Sequence, residues 1–147
     1  MIRRLNLKDK TSLYDFINNC PDKFEDFYLT IGKERKFLKG NFKLIEKILK
    51  YQTFYAVDLG EIKAILLIHR EKNFRPYIRI LTQNKKYIYD LMRFVGWNFS
   101  EELYMKVKKL NIINAVAQRF GWEFLGSRGL EILLKKNKSK PREIRRE

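Results

Sequence analysis

Cysteine and histidine are nearly absent from this sequence, and each absence excludes a class of site. Cys20 is the only cysteine, so no internal disulfide can form. His69 is the only histidine, which argues against a Cys/His metal site and a conventional Ser-His-Asp triad. The chain also lacks an apolar run of about 18 residues, an apolar leader, a Gly-Lys-Ser/Thr phosphate loop and a Gly-x-Ser-x-Gly motif. We therefore expect a cytoplasmic protein with no transmembrane helix and no metal site.

Acidic residues are also few: 17 Asp and Glu stand against 32 Lys and Arg, for a net charge of +15. The segment Lys135–Glu147 contributes +5 and the rest of the chain +10, so the excess is not confined to one end. Such a field attracts nucleic acid, acidic protein surfaces or phosphate-bearing ligands. Basic and aromatic residues interleave over Phe74–Arg79, a pattern that can stack bases and hold phosphates. Charge alone leaves two interpretations open: a polyanionic partner, or solubility without a partner.

Length and composition predict one folded domain. The chain has 147 residues, of which 45% are hydrophobic and 14% aromatic, enough for a single core. We place this domain at residues 1–134 and expect the basic remainder, residues 135–147, to be a flexible tail.

The N-terminal part is predicted to contain one strand and three helices. Alternation over Ile2–Leu7 predicts the opening strand, and Asn41 is placed to cap the third helix. Pro21 suits the start of the second helix and Gly32 its end. The apolar faces of the three helices consist of Leu13, Phe16 and Ile17; of Phe24, Phe27, Tyr28 and Ile31; and of Phe42, Ile45, Ile48 and Leu49.

The remainder alternates strands with helices. Ile62–Ile68 is almost continuously apolar, as in a central strand, and turn residues precede it. The predicted elements are a hairpin of Thr53–Val57 and Ile62–His69, a strand at Pro76–Leu81, a helix from about Asn84 to Val95 stopped by Gly96, a strand at Leu103–Val107, a helix at Ile112–Phe120, and closing strands at Phe124–Leu125 and Ile132–Leu134.

Two motifs and this element order resemble the GCN5-related N-acetyltransferases, the GNAT superfamily. In that family a strand ends in Val-x-x-x-Asn, a short helix follows, and a Gly-Phe pair leads into a closing strand; here Val107–Asn111 and Gly121-Trp122 match. The resemblance covers nearly the whole chain. It implies a single α/β (α+β) domain with a central mixed, mostly antiparallel sheet flanked by helices. It also implies a V-shaped splay between the fourth strand, Pro76–Leu81, and the fifth, Leu103–Val107.

The resemblance also implies acetyl-CoA, held in that splay with its pyrophosphate at the start of the following helix. The family's signature there is Gln or Arg, x, x, Gly, x, Gly or Ala. This chain has Gln83, Asn84, Lys85, Lys86, Tyr87 and Ile88, so that Lys86 and Ile88 replace the two small residues. The two lysines could hold a phosphate in place of the missing amides, or they could form a solvated first turn. Asn111 would lie beside the pantetheine arm.

The catalytic residues implied by the resemblance are incomplete. The tyrosine that protonates the departing thiolate in many members corresponds to Ala117, while Tyr104 and Tyr77 are aromatic alternatives on the neighbouring strands. The candidates for a general base are the carboxylates Glu61, Asp58 and Glu71, all at strand ends, and the single histidine, His69. Histidine is a candidate because this residue type titrates near neutrality.

Two functions follow from this resemblance. The first is acetyl-CoA-dependent transfer to an amine. The second is a degenerate version of the fold kept as a binding or structural module, similar to single-domain versions encoded by tailed phages and other mobile elements, which contacts nucleic acid or another polyanion.

Overall fold

The computed structural model describes residues 1–21, 27–31, 34–71 and 73–139. These residues form nine strands and four α-helices. In chain order the elements are β1 (Ile2–Arg4), α1 (Lys10–Asn18), β2 (Tyr28–Ile31), β3 (Glu34–Phe37), α2 (Phe42–Tyr51), β4 (Thr53–Asp58), β5 (Ile62–His69), β6 (Tyr77–Thr82), α3 (Lys85–Asn98), β7 (Leu103–Lys108), α4 (Ile112–Arg119), β8 (Glu123–Arg128) and β9 (Glu131–Lys136).

Seven of the strands form one mixed sheet in the order β1-β4-β5-β6-β7-β9-β8, and β2 and β3 form a separate hairpin. Neighbours in the sheet pair antiparallel except β6 and β7, which are parallel. The central strands β5 and β6 are almost fully buried, as their apolar sequences predict. The predicted fold, a helix-flanked α+β domain on a mostly antiparallel sheet, is confirmed.

Asparagine caps three of the helices. The Oδ1 atom of Asn41 accepts a hydrogen bond from the Leu44 amide at the start of α2, and Asn84 and Asn111 do the same for Lys86 and Ile113 in α3 and α4. Asparagine suits this position because its short side chain reaches an amide that has no partner within the helix. These caps therefore fix the points at which α2, α3 and α4 begin.

Helices cover both faces of the sheet. One face packs against α1, α2 and the start of β2, in a core that includes Leu13, Ile45 and Leu67. The other packs against α3 and α4, in a core that includes Leu91 and Trp122. Side chains on β6 alternate between the two cores as the period of a strand requires, so the sheet divides the protein into two apolar layers.

The strands β6 and β7 diverge from a single contact. Tyr77 and Tyr104 are the one register pair that joins them, whereas β6 shares six pairs with β5 and β7 shares six with β9. The Tyr104 amide also donates to the Pro76 carbonyl at 2.9 Å. Beyond this point the two parallel strands separate toward their carboxyl ends. This opening, called the β6–β7 gap below, is the predicted splay.

The second predicted helix is wrong where the structure describes it. Tyr28–Ile31 forms β2 and pairs with β3 instead of continuing a helix from Pro21. Its Tyr-Leu-Thr-Ile sequence has high strand propensity, and a neighbouring segment is available to pair with it. Phe24 and Gly32, the other residues of that prediction, lie in the ranges 22–26 and 32–33, outside the described residues.

Several predicted boundaries also move. The opening strand, predicted over Ile2–Leu7, ends at Arg4, and Leu7 begins a turn of 3-10 helix. Gly96 does not stop α3, which continues to Asn98, because an exposed glycine inside a helix costs only about 1 kcal/mol relative to alanine. β9 continues to Lys136, two residues past the predicted end of the domain at 134, while residues 140–147 lie outside the described part. None of the described helices combines the length and the apolar character needed to cross a membrane.

Candidate functional site

Arg79 spans the β6–β7 gap. Its side chain is on the α1–α2 face of the sheet, since Arg79 pairs with Leu67 of that core, and only 7% of the residue is exposed. Nη1 donates a hydrogen bond to the Lys106 carbonyl of β7 at 2.9 Å. This contact, called the Arg79 bridge below, gives a buried guanidinium group a partner and ties together two strands that share little backbone pairing.

The β2–β3 hairpin holds Arg79 from outside the sheet. The centroid of the Tyr28 ring lies 3.8 Å from the guanidinium carbon of Arg79 and 4.8 Å from that of Arg35. The Tyr28 hydroxyl donates to Glu131 Oε2 at 2.6 Å, and Arg35 also contacts Glu131, at 3.3 Å. Burial raises the pKa of the Tyr28 hydroxyl, although Arg79 opposes this shift. The phenol therefore stays protonated and acts as a donor.

A cavity of about 180 Å³ opens beside the Arg79 bridge, at the amino end of β6. Its walls combine aromatic, cationic and titratable side chains. They consist of Tyr28, Leu29, His69, Glu71, Phe74, Arg75, Tyr77, Arg79 and Lys106. Part of the interleaved basic and aromatic segment noted in the sequence thus lines this cavity.

His69 and Glu71 form a pair on the cavity wall. The Nε2 atom of His69 lies 3.1 Å from Glu71 Oε1, and the His69 side chain is only 11% exposed. His69 pairs with Tyr77 across the sheet, and Tyr77 pairs with Tyr104. The three residues are therefore neighbours on adjacent strands at the closed end of the gap. An imidazole oriented by a carboxylate can accept a proton from a ligand in the cavity.

Tyr104 lies behind this wall. It is 8% exposed, its ring centroid is 6.0 Å from that of Tyr77, and the Arg75 guanidinium lies 4.8 Å from its centroid. Tyr104 is not among the residues that line the cavity. Its position fits a packing role at the base of the gap rather than proton transfer.

A second, narrow cleft follows the gap through the sheet. Its volume is about 30 Å³, room for about two water molecules. Strand, helix and cap residues line it: Phe27, Arg79, Ile80, Leu81, Thr82, Ile88, Met105, Lys106, Val107, Asn111, Ile112 and Ile113. This volume is smaller than a pantetheine arm.

The start of α3 is closed by its own side chains. Asn84 Oδ1 accepts a hydrogen bond from the Lys86 backbone N–H at 2.9 Å, and the Asn84 backbone N–H donates to Thr82 Oγ1 at 3.2 Å. The Tyr87 amide bonds to the Asn84 carbonyl. An anion here would compete with these bonds, although the exposed side chains of Lys85 and Lys86 lie beside it.

The other predicted acetyl-CoA contacts are divided between the core and the cleft. Ile88 is 3% exposed and belongs to the core beneath α3, so it cannot provide a small surface position. Gln83 interacts with the buried thiol of Cys20. Burial raises the pKa of this thiol, and the hydrogen bond with Gln83 offsets part of that rise. Asn111 does line the cleft, with its Oδ1 used as a helix cap. Ala117 is fully buried, so α4 has no phenol at that position.

The structure does not bring Glu61 to the cavity. Glu61 is exposed at the β4–β5 turn, where it pairs with Lys63, and Asp58 pairs with Arg3 at 2.8 Å. Both residues precede β5, whereas His69 ends it, so the length of a strand separates them from His69. Of the proposed bases, only His69 and Glu71 meet.

Sequence reasoning missed Tyr28, Glu131 and Lys106 as parts of the site. The contacts of Tyr28 and Glu131 join residues far apart in the chain. An arginine within the apolar strand Ile78–Leu81 was a detectable signal, because a buried arginine needs a partner.

No protein-family model matches the sequence, and no curated protein matches it significantly. Solved structures do match. The GNAT domain of PAT from S. lividans has a TM-score of 0.71 at 12% identity, over 92% of this chain and 88% of that one. An N-acetyltransferase from Staphylococcus aureus Mu50 has a TM-score of 0.67 at 16% identity, over 93% and 96%.

RimL, a ribosomal-protein alpha-N-acetyltransferase solved in complex with coenzyme A, has a TM-score of 0.63 at 14% identity, over 92% of each chain. At identities this low, structural similarity establishes the fold but not the chemistry, which has to be argued from the residues of this chain. The similarity covers at least 92% of this chain in each of these three comparisons. The protein therefore has the fold of the GCN5-related N-acetyltransferases.

Proposed function

We propose that the protein transfers an acyl group from acyl-CoA to an amine. The observation that carries this proposal is the β6–β7 gap, joined at one register pair and adjacent to a cavity with a His–Glu pair. The similar structures are named as acetyltransferases, and one contains coenzyme A. The activities of these proteins support the proposal only through the shared fold.

In this proposal His69 accepts the proton that the amine loses. An amine must be neutral to attack, and a base within hydrogen-bond reach keeps it so. Glu71 orients the imidazole through its contact with Nε2, as a carboxylate does beside a catalytic histidine. Ala117 offers no phenol, so a departing thiolate would take its proton from water or from Tyr77, which lines the cavity.

The residues that would hold acyl-CoA fit it only after a rearrangement. The Arg79 bridge must open for the narrow cleft to admit a pantetheine arm, and Asn84 must yield its amide bond for a phosphate to bind at α3. Lys85 and Lys86 then supply positive charge beside the phosphates. A protein with a mostly closed site binds with an affinity reduced by the fraction that is open.

Calorimetry and thermal shift with acetyl-CoA test the proposal. At a hundredfold excess over Kd, binding adds about 2.7 kcal/mol to stability. Arg79→Ala removes the bridge and is expected to tighten binding about tenfold, because a larger fraction is open. Lys47→Met, on the exposed surface of α2, is the control of equal charge change. Thiol release with amine acceptors then measures transfer. Absence of binding by both the wild type and Arg79→Ala overturns the proposal.

A second function is favoured by the closed geometry itself. A capped α3, a cleft of about 30 Å³ and a buried Ala117 suit a fold kept as a binding module without catalysis. In that case acetyl-CoA fails to bind, while a polyanionic partner binds with an affinity that falls steeply with salt. Failure to bind either heparin or mixed RNA at low salt, together with acetyl-CoA binding, rules out this second function.

A further inference from the structure

A larger surface depression adjoins the cavity beside the Arg79 bridge at Lys106. This second depression, of about 430 Å³, lies between the β2–β3 hairpin and β8–β9. Lys106 lines both, and the two are called the basic groove below. The groove therefore begins at His69 and Glu71 and extends across the face of β7 and β9.

Most of the charged side chains of the groove are cationic. Its cations are Arg35, Arg75, Arg79, Lys106 and Arg128, and its acids are Glu71 and Glu131. Both acids have partners: Glu71 contacts His69, and Glu131 accepts from Tyr28 and Arg35. The groove therefore has no carboxylate left for its other cations.

Three cations keep the capacity to bind an anion. Within the described part of the chain, Arg75, Lys106 and Arg128 have no carboxylate partner. Arg75 and Lys106 instead lie over rings, 4.8 Å from the Tyr104 centroid and 5.2 Å from the Tyr77 centroid. Ring contact positions a cation but leaves its donors available to a ligand. Lys106 is central because it lines both the His69 cavity and the second depression.

We propose that the acceptor is a primary amine on an acidic peptide segment, with carboxylates that bind Lys106, Arg75 and Arg128. This inference rests on the proposed function, since it names the acceptor of the same site. The amine would lie at His69 and the following acidic residues along the groove. A peptide fits better than a nucleic acid, because unmodified RNA has no aliphatic amine to acylate. The extent of the groove favours a segment of several residues over a single amino acid.

Binding is tested first, without acetyl-CoA. A labelled peptide with a free amine and four glutamates is compared with its glutamine counterpart by fluorescence anisotropy. The glutamate peptide is expected to bind at least about tenfold more tightly, the effect of one charge-assisted hydrogen bond. Lys106→Met and Arg128→Gln are each expected to reduce that preference severalfold. Lys47→Met, which removes the same charge away from the groove, should leave it unchanged.

Transfer is tested second, by measuring thiol release from acetyl-CoA. The two peptides and free glutamate are compared as acceptors, and an RNA oligomer is added as a competitor. A preference for the glutamate peptide that Lys106→Met reduces severalfold supports the inference. Equal use of both peptides, equal use of free glutamate, or equal competition by RNA overturns it while leaving the acyl transfer intact. Selective peptide binding with no acetyl-CoA binding overturns the proposed function and supports the specificity of the groove.

Discussion

Replacing Arg79 with methionine tests whether the β6–β7 gap depends on one side chain. The variant keeps an apolar stem of similar length but loses the bond to the Lys106 carbonyl and the contact with the Tyr28 ring. A hydrogen bond from a charged group contributes about 1.5–3 kcal/mol, and a desolvated cation–π contact about 2. The desolvation cost of the guanidinium offsets part of this sum.

We therefore expect Arg79→Met to lower the free energy of unfolding by about 2 kcal/mol, which for a chain of this size lowers Tm by about 4–8 °C. Arg75→Met is the matched control. Arg75 is exposed, and its guanidinium lies over the Tyr104 ring at 4.8 Å, so its loss should cost about 0.5 kcal/mol.

Urea denaturation followed by circular dichroism and a parallel thermal melt measure both variants. Equal stability of Arg79→Met and the wild type would show that the contact across the gap contributes nothing, and the reasoning about the Arg79 bridge would be refuted. A loss as large for Arg75→Met would show that charge reduction, rather than the bridge, is responsible.

Three further predictions concern a surface ion pair, the thiol and the missing phenol. The Arg3 guanidinium donates two hydrogen bonds to the Asp9 carboxylate and holds its pKa below the usual range. Asp9→Asn should therefore lower the free energy of unfolding by about 1 kcal/mol at pH 6. The difference from the wild type should shrink as the pH falls below about 4, because the Asp9 carboxylate of the wild type is then protonated. A difference in stability that does not depend on pH would contradict this. Burial raises the pKa of the Cys20 thiol, so a chromogenic disulfide reagent should react only after denaturation, and rapid reaction of the native protein would refute that burial. Ala117→Tyr should destabilise by about 1–3 kcal/mol in a melt without increasing thiol release, because the site is fully buried; a stable and more active variant would overturn this.

Local pattern was sufficient for much of the fold. The apolar run Ile62–Ile68 and the turn before it predicted β4 and β5, and Asn41 and Asn111 stood where helices begin. The Val107–Asn111 motif, with Gly121-Trp122, indicated the fold and with it the diverging strands β6 and β7. These features depend on neighbours in sequence, or on a motif that matches a known architecture.

The rest depended on contacts between distant segments. Tyr28 follows a helical spacing of apolar residues, yet its segment forms a strand because β3 is available to pair with it. Glu61 and His69 are both acid–base candidates in sequence, but they occupy opposite ends of β5. The Arg79 bridge required knowing that the Lys106 carbonyl faces the gap, which no local pattern encodes.

Hydrogen–deuterium exchange with and without acetyl-CoA tests the central claim most directly, because it locates binding as well as detecting it. The account predicts slower exchange at Ile80–Thr82 on β6, at Met105–Val107 on β7 and at the first turn of α3, with little change in β1 and β4. Protection confined to other surfaces, or none at concentrations that saturate binding, would contradict the claim that acyl-CoA occupies the β6–β7 gap.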